Sequence, residues 1–432
     1  MRSLIIKTSI TGALLTSIVL GTGCKKNFAD PSRPTEDQVF NSPKGLTGVA
    51  VGLQRVYTAG RASSLYNLVA MDAFVTNQAT IVNQGNTAEY QLFLGGGQVD
   101  GTNTILAGLW TSSNKIIYDA DLVISNAETL GDKPYASGLV GYATVFKALA
   151  LGNLATFWEK VPEGNGENVG FVSRQDGYVK AIAAIDKALG MISANGISPA
   201  FLSNIPAGID ITNSLNALKA RYSLFAGNYA QALTAANAVD LTKKSTLNFD
   251  ATNLNPIFET VTSTNNVYAI TDSVMGLPVA FQPELTDKRL PFYISTNATA
   301  PRFRVNGFGA ATTTPWPVYL PGEIILIKAE VYARQNQLPQ ALTELNKVVT
   351  KKPADDPFGV GADMPALVGP FTQQELLDQI YKQRRIELFM SGLSLEDMRR
   401  FGRPNAERKR NFFPYPFRER DNNPNTPPDP AF

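Results

Sequence analysis

Histidine is absent from the 432 residues of this chain, and cysteine occurs only once, at position 24. Without histidine the chain cannot form a Ser-His-Asp or Cys-His catalytic group, an imidazole zinc site or a histidine general base. An enzyme built on this sequence would have to use carboxylates, Lys, Tyr or Ser. We therefore predict no catalytic residues, no metal site and no cofactor.

An excess of charge of either sign is also lacking, since 39 basic and 37 acidic residues give a net charge of +2. Such a balance provides no field that would attract nucleic acid, and no basic stripe is interleaved with aromatic residues. The one basic cluster runs from Arg399 to Arg410, close to Glu396, Asp397 and Glu407. We interpret it as a solvated, salt-bridged face and predict no nucleic-acid partner.

The single cysteine, Cys24, lies where an apolar N-terminal stretch ends. A basic start, an apolar run over 10–20 and small residues before a cleavage point are the parts of an export signal. The run is too short to span a bilayer, which needs about 20 apolar residues. The sequence Gly21-Thr-Gly-Cys24 is similar to a bacterial lipoprotein processing site, so we predict a signal peptide over 1–23 and acylation of Cys24.

An ordinary cleaved signal that leaves a free thiol is the alternative, because Gly21 stands where lipoprotein sites usually carry Leu. Residues 24–45 are polar with repeated prolines, which is typical of a tether. The remaining 46–432 contain the hydrophobic content of a substantial core, since 44% of the whole chain is hydrophobic and 18% charged. We predict a single, mainly α-helical domain there.

Two segments, 215–239 and 324–348, repeat one pattern of an apolar helix, a tight turn and a second helix. Their turns are Gly227-Asn228 and Gln335-Asn336, where Gly227 and Asn336 suit the left-handed conformation that ends a helix. Small residues, Ala232 and Ala341, stand where the two helices of a pair must approach closely. The pattern predicts a tetratricopeptide-like frame, with an ordinary helical hairpin as the alternative. A third pair is expected near 142–191, and half of a fourth at 46–57.

Long insertions, 72–103 and 255–316, separate the helical pairs. We expect β-type or irregular backbone over 89–97 and 255–308. Amides hydrogen-bond to hydroxyl groups and aromatic rings pack on the apolar face of a pyranose, so such insertions suit sugar binding. Candidate ligand-binding residues are Asn77, Tyr90, Tyr293 and Trp316, although most single rings in such a set belong to the core.

Several separated motifs, in the same order along the chain, resemble the SusD/RagB family, the surface lipoproteins of Bacteroidota that cap outer-membrane nutrient importers. The motifs are the mature start from Cys24 to Asp30, Trp110 with Tyr118 and Asp121, the 142–162 helix, Asp287 with Arg289, the 321–330 helix, the 380–402 segment and the 413–416 turn. Ser391 and Leu395 depart from the family pattern, where Glu and Trp are usual.

The resemblance implies a binding protein without chemistry of its own, held at the cell surface on the outer membrane by its lipid. It would capture oligosaccharide for import through a TonB-dependent, SusC-like transporter. Capture of peptides is the alternative within the family. From other classes, a repeat scaffold and a carboxylate-based glycosidase remain open; the latter needs two acids about 5–10 Å apart, and the candidates Asp355 and Asp356 have the flanking prolines of a turn.

Four charged residues of the C-terminal third are predicted to form structural ion pairs: Arg384, Glu387, Asp397 and Arg400. Arg384 and Glu387 are three residues apart, so a pair within one helix is possible. Guanidinium groups that fork onto carboxylates would fix how this segment packs against the repeats.

Overall fold

The computed structural model describes residue 40 and residues 42–432, and the helices dominate that part of the chain. The predicted signal peptide, Cys24 and most of the tether lie outside the described residues. Residues Phe40–Phe432 form one compact unit.

The helices are α1 (Pro43–Thr58), α2 (Ser64–Val75), α3 (Thr87–Leu94), α4 (Thr104–Ala127), α5 (Lys133–Phe157), α6 (Arg174–Asn195), α7 (Pro199–Leu202), α8 (Ile211–Phe225), α9 (Tyr229–Asn237), α10 (Arg289–Tyr293), α11 (Pro321–Arg334), α12 (Leu338–Val349), α13 (Gln373–Glu387), α14 (Ser394–Arg400) and α15 (Phe417–Asn422). The strands are β1 (Ala79–Ile81), β2 (Lys160–Pro162), β3 (Phe171–Ser173), β4 (Thr246–Leu247), β5 (Tyr268–Ile270), β6 (Ile294–Thr296), β7 (Phe303–Val305) and β8 (Trp316–Pro317). The mainly α fold class is thus confirmed.

Helical hairpins form the frame of the molecule. Helix α8 turns into α9 at Gly227, which has φ +78°, and α11 turns into α12 at Asn336, which has φ +57°. Ala232 and Ala341 are fully buried, as a close approach of paired helices requires. Because α9 packs on α11 and α11 packs on α13, the hairpins form a continuous stack.

Helix α5 is the centre of this stack, and it packs against α4, α6 and α8. It is long and apolar enough to cross a membrane, but 94% of its most apolar window is buried inside the fold, as in the core helix of a globular protein. Gly152 lets α8 approach closely, since a Cβ at this position would lie 2.2 Å from the hydroxyl of Tyr222. Such glycine contacts explain how a helix without a polar face is covered on all sides.

The strands form four short antiparallel pairs, β1 with β5, β2 with β3, β4 with β8 and β6 with β7. The first of them matters most, because the register Ala79↔Ile270 to Ile81↔Tyr268 joins the two long insertions edge to edge. One sequence prediction is wrong here: residues 87–94 form helix α3, not β-type or irregular backbone. Strong helix formers such as Ala88, Glu89 and Leu92 explain this outcome.

The basic cluster of 399–410 also differs from the solvated face that the sequence predicts. The side chains of Arg399 and Arg400 are only 9% exposed and pair with buried carboxylates. Their residues lie at the end of α14, which is packed against α2 and α13. The tertiary packing of α14 therefore buries guanidinium groups that a sequence reading assigns to solvent.

Candidate functional site

Tyr293 and Trp316 lie inside the fold, around a cavity of about 60 Å³. Tyr293 is 3% exposed, and its hydroxyl donates a hydrogen bond to the carbonyl oxygen of Glu387 at 2.5 Å. Trp316 is 8% exposed, and its ring lies 6.1 Å from that of Phe308. A cavity that holds benzene is about 150 Å³, so this space is too small for a sugar ring. Neither ring offers a face to a ligand in this conformation.

Asn77 and Tyr90 lie elsewhere, on the first insertion. Asn77 has φ +64°, and its Nδ2 donates to the carbonyl oxygen of Glu407 at 3.0 Å, so it joins the insertion to the C-terminal segment. Tyr90 is half-buried on α3 and stacks on Phe93 at 6.4 Å between ring centroids. The structure therefore brings Tyr293 and Trp316 together and keeps them apart from Asn77 and Tyr90.

A solvent-exposed cluster forms where the two insertions meet, and we call it the insertion junction: Arg61, Asn83, Asn86 and Asn266. Asn83 Nδ2 donates to Asn266 Oδ1 at 3.0 Å, and Asn86 Nδ2 donates to the Asn266 carbonyl oxygen at 3.0 Å. Arg61 Nη2 donates to Asn86 Oδ1 at 3.1 Å. Tyr90 follows Asn86 by one turn of α3. Amide and guanidinium groups are thus concentrated on one patch of surface.

Secondary structure holds the insertion junction in place. Asn83 follows β1 and Asn266 precedes β5, so the β1–β5 pair brings these amides together. Arg61 is anchored by Glu89, which is 1% exposed and also accepts from the hydroxyl of Tyr66 at 2.7 Å. Burial alone would lower the pKa of Arg61, but the hydrogen bond and charge of Glu89 outweigh it and raise that pKa. Arg61 is therefore a permanent donor at a fixed place.

Sequence reasoning missed Arg61, Asn83, Asn86 and Asn266 as a group. The richness of the first insertion in amides was visible, but Asn266 lies 183 residues after Asn83. The pairing of two three-residue strands brings them together, and strands so short carry little periodic signal.

The four predicted ion-pair residues all lie in buried ion pairs, but the pair of Arg384 with Glu387 that their spacing allows does not form. Arg384 Nε donates to Asp397 at 2.9 Å, and Arg400 donates to Asp397 and to Glu330, each at 2.9 Å. Glu387 does not pair with Arg384.

Glu387 instead accepts from Arg289 at 3.0 Å and from Lys351 at 2.8 Å. Burial acts to lower the pKa of Arg289, and Asp287 and Glu387 more than compensate, so its pKa is raised. These ion pairs form two groups, which we together call the arginine core: one joins α10 to α13 through Glu387, and the other joins α11, α13 and α14 through Asp397 and Glu330. Their side chains are nearly all inaccessible to solvent. The members of the arginine core are Asp287, Arg289, Glu330, Lys351, Arg384, Glu387, Asp397 and Arg400.

Metal-ligating groups do not converge in the described part of the chain, where no group of three or more Cys, Asp or Glu residues could hold an ion. The insertion junction can form hydrogen bonds to a ligand, since amides both donate and accept and a guanidinium donates. It contains no carboxylate or nucleophile aimed at solvent.

Comparison with known proteins gives a family match for one segment of the chain and several solved structures of the same fold. The SusD family model, SusD_RagB, matches residues 306–429. No curated protein sequence matches the chain. A SusD-like protein from Bacteroides thetaiotaomicron VPI-5482 has a TM-score of 0.69 and 16% identity, with 88% of this chain and 93% of that chain covered.

Two further solved structures have the same fold. A SusD superfamily protein from Bacteroides vulgatus ATCC 8482 has a TM-score of 0.66 and 15% identity, covering 91% of this chain and 100% of that one. A SusD-like carbohydrate binding protein from Bacteroides fragilis NCTC 9343 has a TM-score of 0.63 and 15% identity, covering 84% and 87%. The resemblance seen in the sequence is therefore confirmed: residues 306–429 match the SusD family model, and the chain has the fold of the solved SusD-like structures.

Proposed function

We propose that the protein captures oligosaccharides at the insertion junction and performs no chemistry on them. The observation that supports this most directly is the exposed cluster of Arg61, Asn83, Asn86 and Asn266 on a rigid helical frame. Sugar hydroxyl groups both donate and accept hydrogen bonds, and these side chains supply both kinds of partner. The family match and the carbohydrate binding protein among the solved relatives favour the same ligand class.

The rest of the proposal concerns where the protein acts. Acylation of Cys24 would hold it on the outer membrane facing outward, and bound oligosaccharide would pass to a TonB-dependent, SusC-like transporter in the same membrane. Residues 24–45 would be the tether and 46–432 the binding domain. A capture protein that hands its ligand to a transporter needs moderate affinity, because the ligand must also leave.

The burial and bonding of Asp356, one of the two candidate acids, argue against a carboxylate-based glycosidase. Asp356 accepts from the backbone N–H groups of Phe358 and Val360 and pairs with Lys351 at 2.6 Å. It is 7% exposed and therefore not available to a substrate. Capture of peptides uses the same amide chemistry and is decided by the experiment below.

Binding of the purified full-length chain to panels of neutral and acidic oligosaccharides and of peptides, measured by calorimetry, tests the proposal. A hydrogen bond contributes about 0.5–1.5 kcal/mol, so Asn83→Ala, Asn86→Ala and Asn266→Ala should each weaken oligosaccharide affinity about 2- to 13-fold. Asn204→Ala is the matched control, because Asn204 is also exposed and bonds only within its own turn.

Retention of full affinity by all three junction variants would rule out the insertion junction as the site. Binding of peptides alone would replace the oligosaccharide in this proposal, and release of a hydrolysed sugar would contradict the absence of chemistry.

A further inference from the structure

A second polar surface lies near the C-terminal end of α3, at a groove of about 370 Å³. Three consecutive cations line it, and we call Arg408, Lys409 and Arg410 the basic triplet. Asn411 and the exposed Glu159 line it as well, so only part of its wall is positively charged.

The basic triplet has no ion pair with a carboxylate in the described part of the chain. Arg408 donates to Asn405 and to a backbone carbonyl, and Arg410 donates to the carbonyl oxygens of Gly96 and Phe412. The Nζ of Lys409 lies 4.1 Å from the centroid of the Phe93 ring.

The neighbouring acids do not supply the missing partner. Asp429 is paired with Arg420 at 2.6 Å, and Glu407 is paired with Arg403. The positive charge of the triplet is therefore uncompensated by contact.

The side chains of the basic triplet are also partly or largely buried. Arg410 is only 4% exposed, and the Nε of Arg408 is buried without a hydrogen-bond partner. Burial lowers the pKa of Arg408 and of Arg410, and it lowers the pKa of Lys409 to about 8. An anion in the groove would remove this penalty, because an opposite charge favours the protonated forms.

The backbone holds Lys409 in position before any ligand arrives. Its N–H donates to the carbonyl oxygen of Val75 at 2.8 Å, and its carbonyl accepts from Gly96 at 2.9 Å. Gly95 has φ +71°, and a Cβ there would lie 2.4 Å from the Cβ of Lys409. Backbone that is already ordered pays no further entropy when the ligand binds, and this favours affinity.

The groove and the insertion junction are linked through α3. Phe93 contacts Lys409 on one side and stacks on Tyr90 on the other, and Tyr90 lies one turn after Asn86. Resting on the function proposed above, we propose that the captured oligosaccharide is acidic and that the basic triplet binds the carboxylate of one of its sugar units.

The test compares trigalacturonate with its fully methyl-esterified form, which has the same sugar frame without the negative charge. We expect calorimetry on the full-length chain to give about 10- to 100-fold tighter binding of the acid, the range for charge-assisted hydrogen bonds. Lys409→Met should remove most of this preference and leave the affinity for the ester within about twofold. Lys409→Arg should keep the preference, because it keeps the charge.

Lys244→Met is the matched control, since Lys244 also lies over a phenylalanine ring, that of Phe358, but outside the groove. Equal binding of acid and ester would overturn the acidic subsite while leaving oligosaccharide capture intact. Binding of inorganic sulfate as strong as that of trigalacturonate would also overturn it, since the groove would then hold a free anion only. Failure of both sugars to bind, with neutral oligosaccharides bound, would contradict the acidic ligand and not the capture role.

Discussion

The arginine core and the basic triplet both bury positive charge, but they differ in whether a carboxylate contacts it. Arg289 and Arg384 are completely buried, and each contacts a carboxylate. Lys409 and Arg410 are partly or largely buried and contact no carboxylate among the residues that the structure describes. Burial acts to lower the pKa of all four, but nearby carboxylates reverse this effect for Arg289 and Arg384 and not for Lys409 and Arg410.

This difference separates two uses of charge. A buried cation that is paired with a carboxylate inside the fold fixes how two elements pack. Arg289, paired with Glu387, does this between α10 and α13. A desolvated cation without a counter-charge lowers stability, and such strained electrostatics concentrate at binding sites. The basic triplet thus has the electrostatics of a site, and the arginine core has those of a structural joint.

Removing one carboxylate of the arginine core should have the largest effect on the stability of the fold. Glu387→Ala leaves Arg289, which is 0% exposed, with Asp287 as its one carboxylate partner, and deprives Lys351 of one of its two partners. Loss of one partner of a buried ion pair costs about 3–5 kcal/mol. We expect a fall of this size in the free energy of unfolding, measured by urea denaturation.

Glu284→Ala is the control for that experiment. Glu284 pairs with Lys382 at 3.4 Å and its side chain is 67% exposed, so its loss should change stability by less than about 1 kcal/mol. Equal effects of the two substitutions would remove the distinction between the arginine core and ordinary surface pairs.

Asp72 is a buried carboxylate that forms no ion pair within the described part of the chain, in contrast to the carboxylates of the arginine core. Asp72 is completely buried and accepts hydrogen bonds from the N–H of Leu395 at 2.7 Å and from Gln78 Nε2 at 3.2 Å. Burial dominates and raises its pKa to about 6 from 3.8, despite these bonds and the nearby charge of Arg385. At Asp72, hydrogen bonds therefore do not fully compensate the cost of burying the charge.

The pH dependence of stability measures this penalty. Below pH 3.8 both folded and unfolded chains hold the proton on Asp72, and between pH 3.8 and 6 only the folded chain does. Stability from this group therefore falls as the pH rises through that window, by about 3 kcal/mol in total at 1.36 kcal/mol per pKa unit. Relative to Asp72→Asn, the wild-type chain should lose about this much between pH 3 and pH 7. A constant difference between the two would contradict the raised pKa.

The helical frame could be predicted from the sequence because its signals are local. The turns at Gly227 and Asn336 and the small residues Ala232 and Ala341 specify two hairpins through contacts within about 25 residues. Four of the eight residues of the arginine core, Arg384, Glu387, Asp397 and Arg400, could be predicted, but their partners could not. The choice of Asp397 over Glu387 as the partner of Arg384 depends on how α14 folds back on α13.

The candidate site was predictable only in part, because tertiary pairing creates it. Tyr90 proved half-exposed beside the insertion junction, whereas Tyr293 and Trp316 are covered by other aromatic rings. Composition alone does not distinguish a ring in the core from a ring at the surface. The basic triplet could be seen in the sequence, but its lack of ion pairs depends on Asp429 and Glu407 being occupied by other arginines.

The smallest expected effect is a gain in stability, opposite in sign to the loss expected for Glu387→Ala. Burial lowers the pKa of Lys409 to about 8 from 10.5, so the charged form destabilises the fold below pH 8, and the penalty disappears as the pH rises from 8 to 10.5. Arg408, Arg410 and Glu159 are the charged groups that share its groove, and none forms an ion pair with it. Because Lys409 is only partly buried, solvent screens most of this penalty, and Lys409→Met should raise the melting temperature at pH 7 by about 1–2 °C, with no gain above pH 10.5. Calorimetric scans at both pH values check this, and a loss of stability at pH 7 would mean that the charge is already compensated within the fold. A variant that is more stable yet weaker in binding the acid would separate the two uses of charge at a single residue.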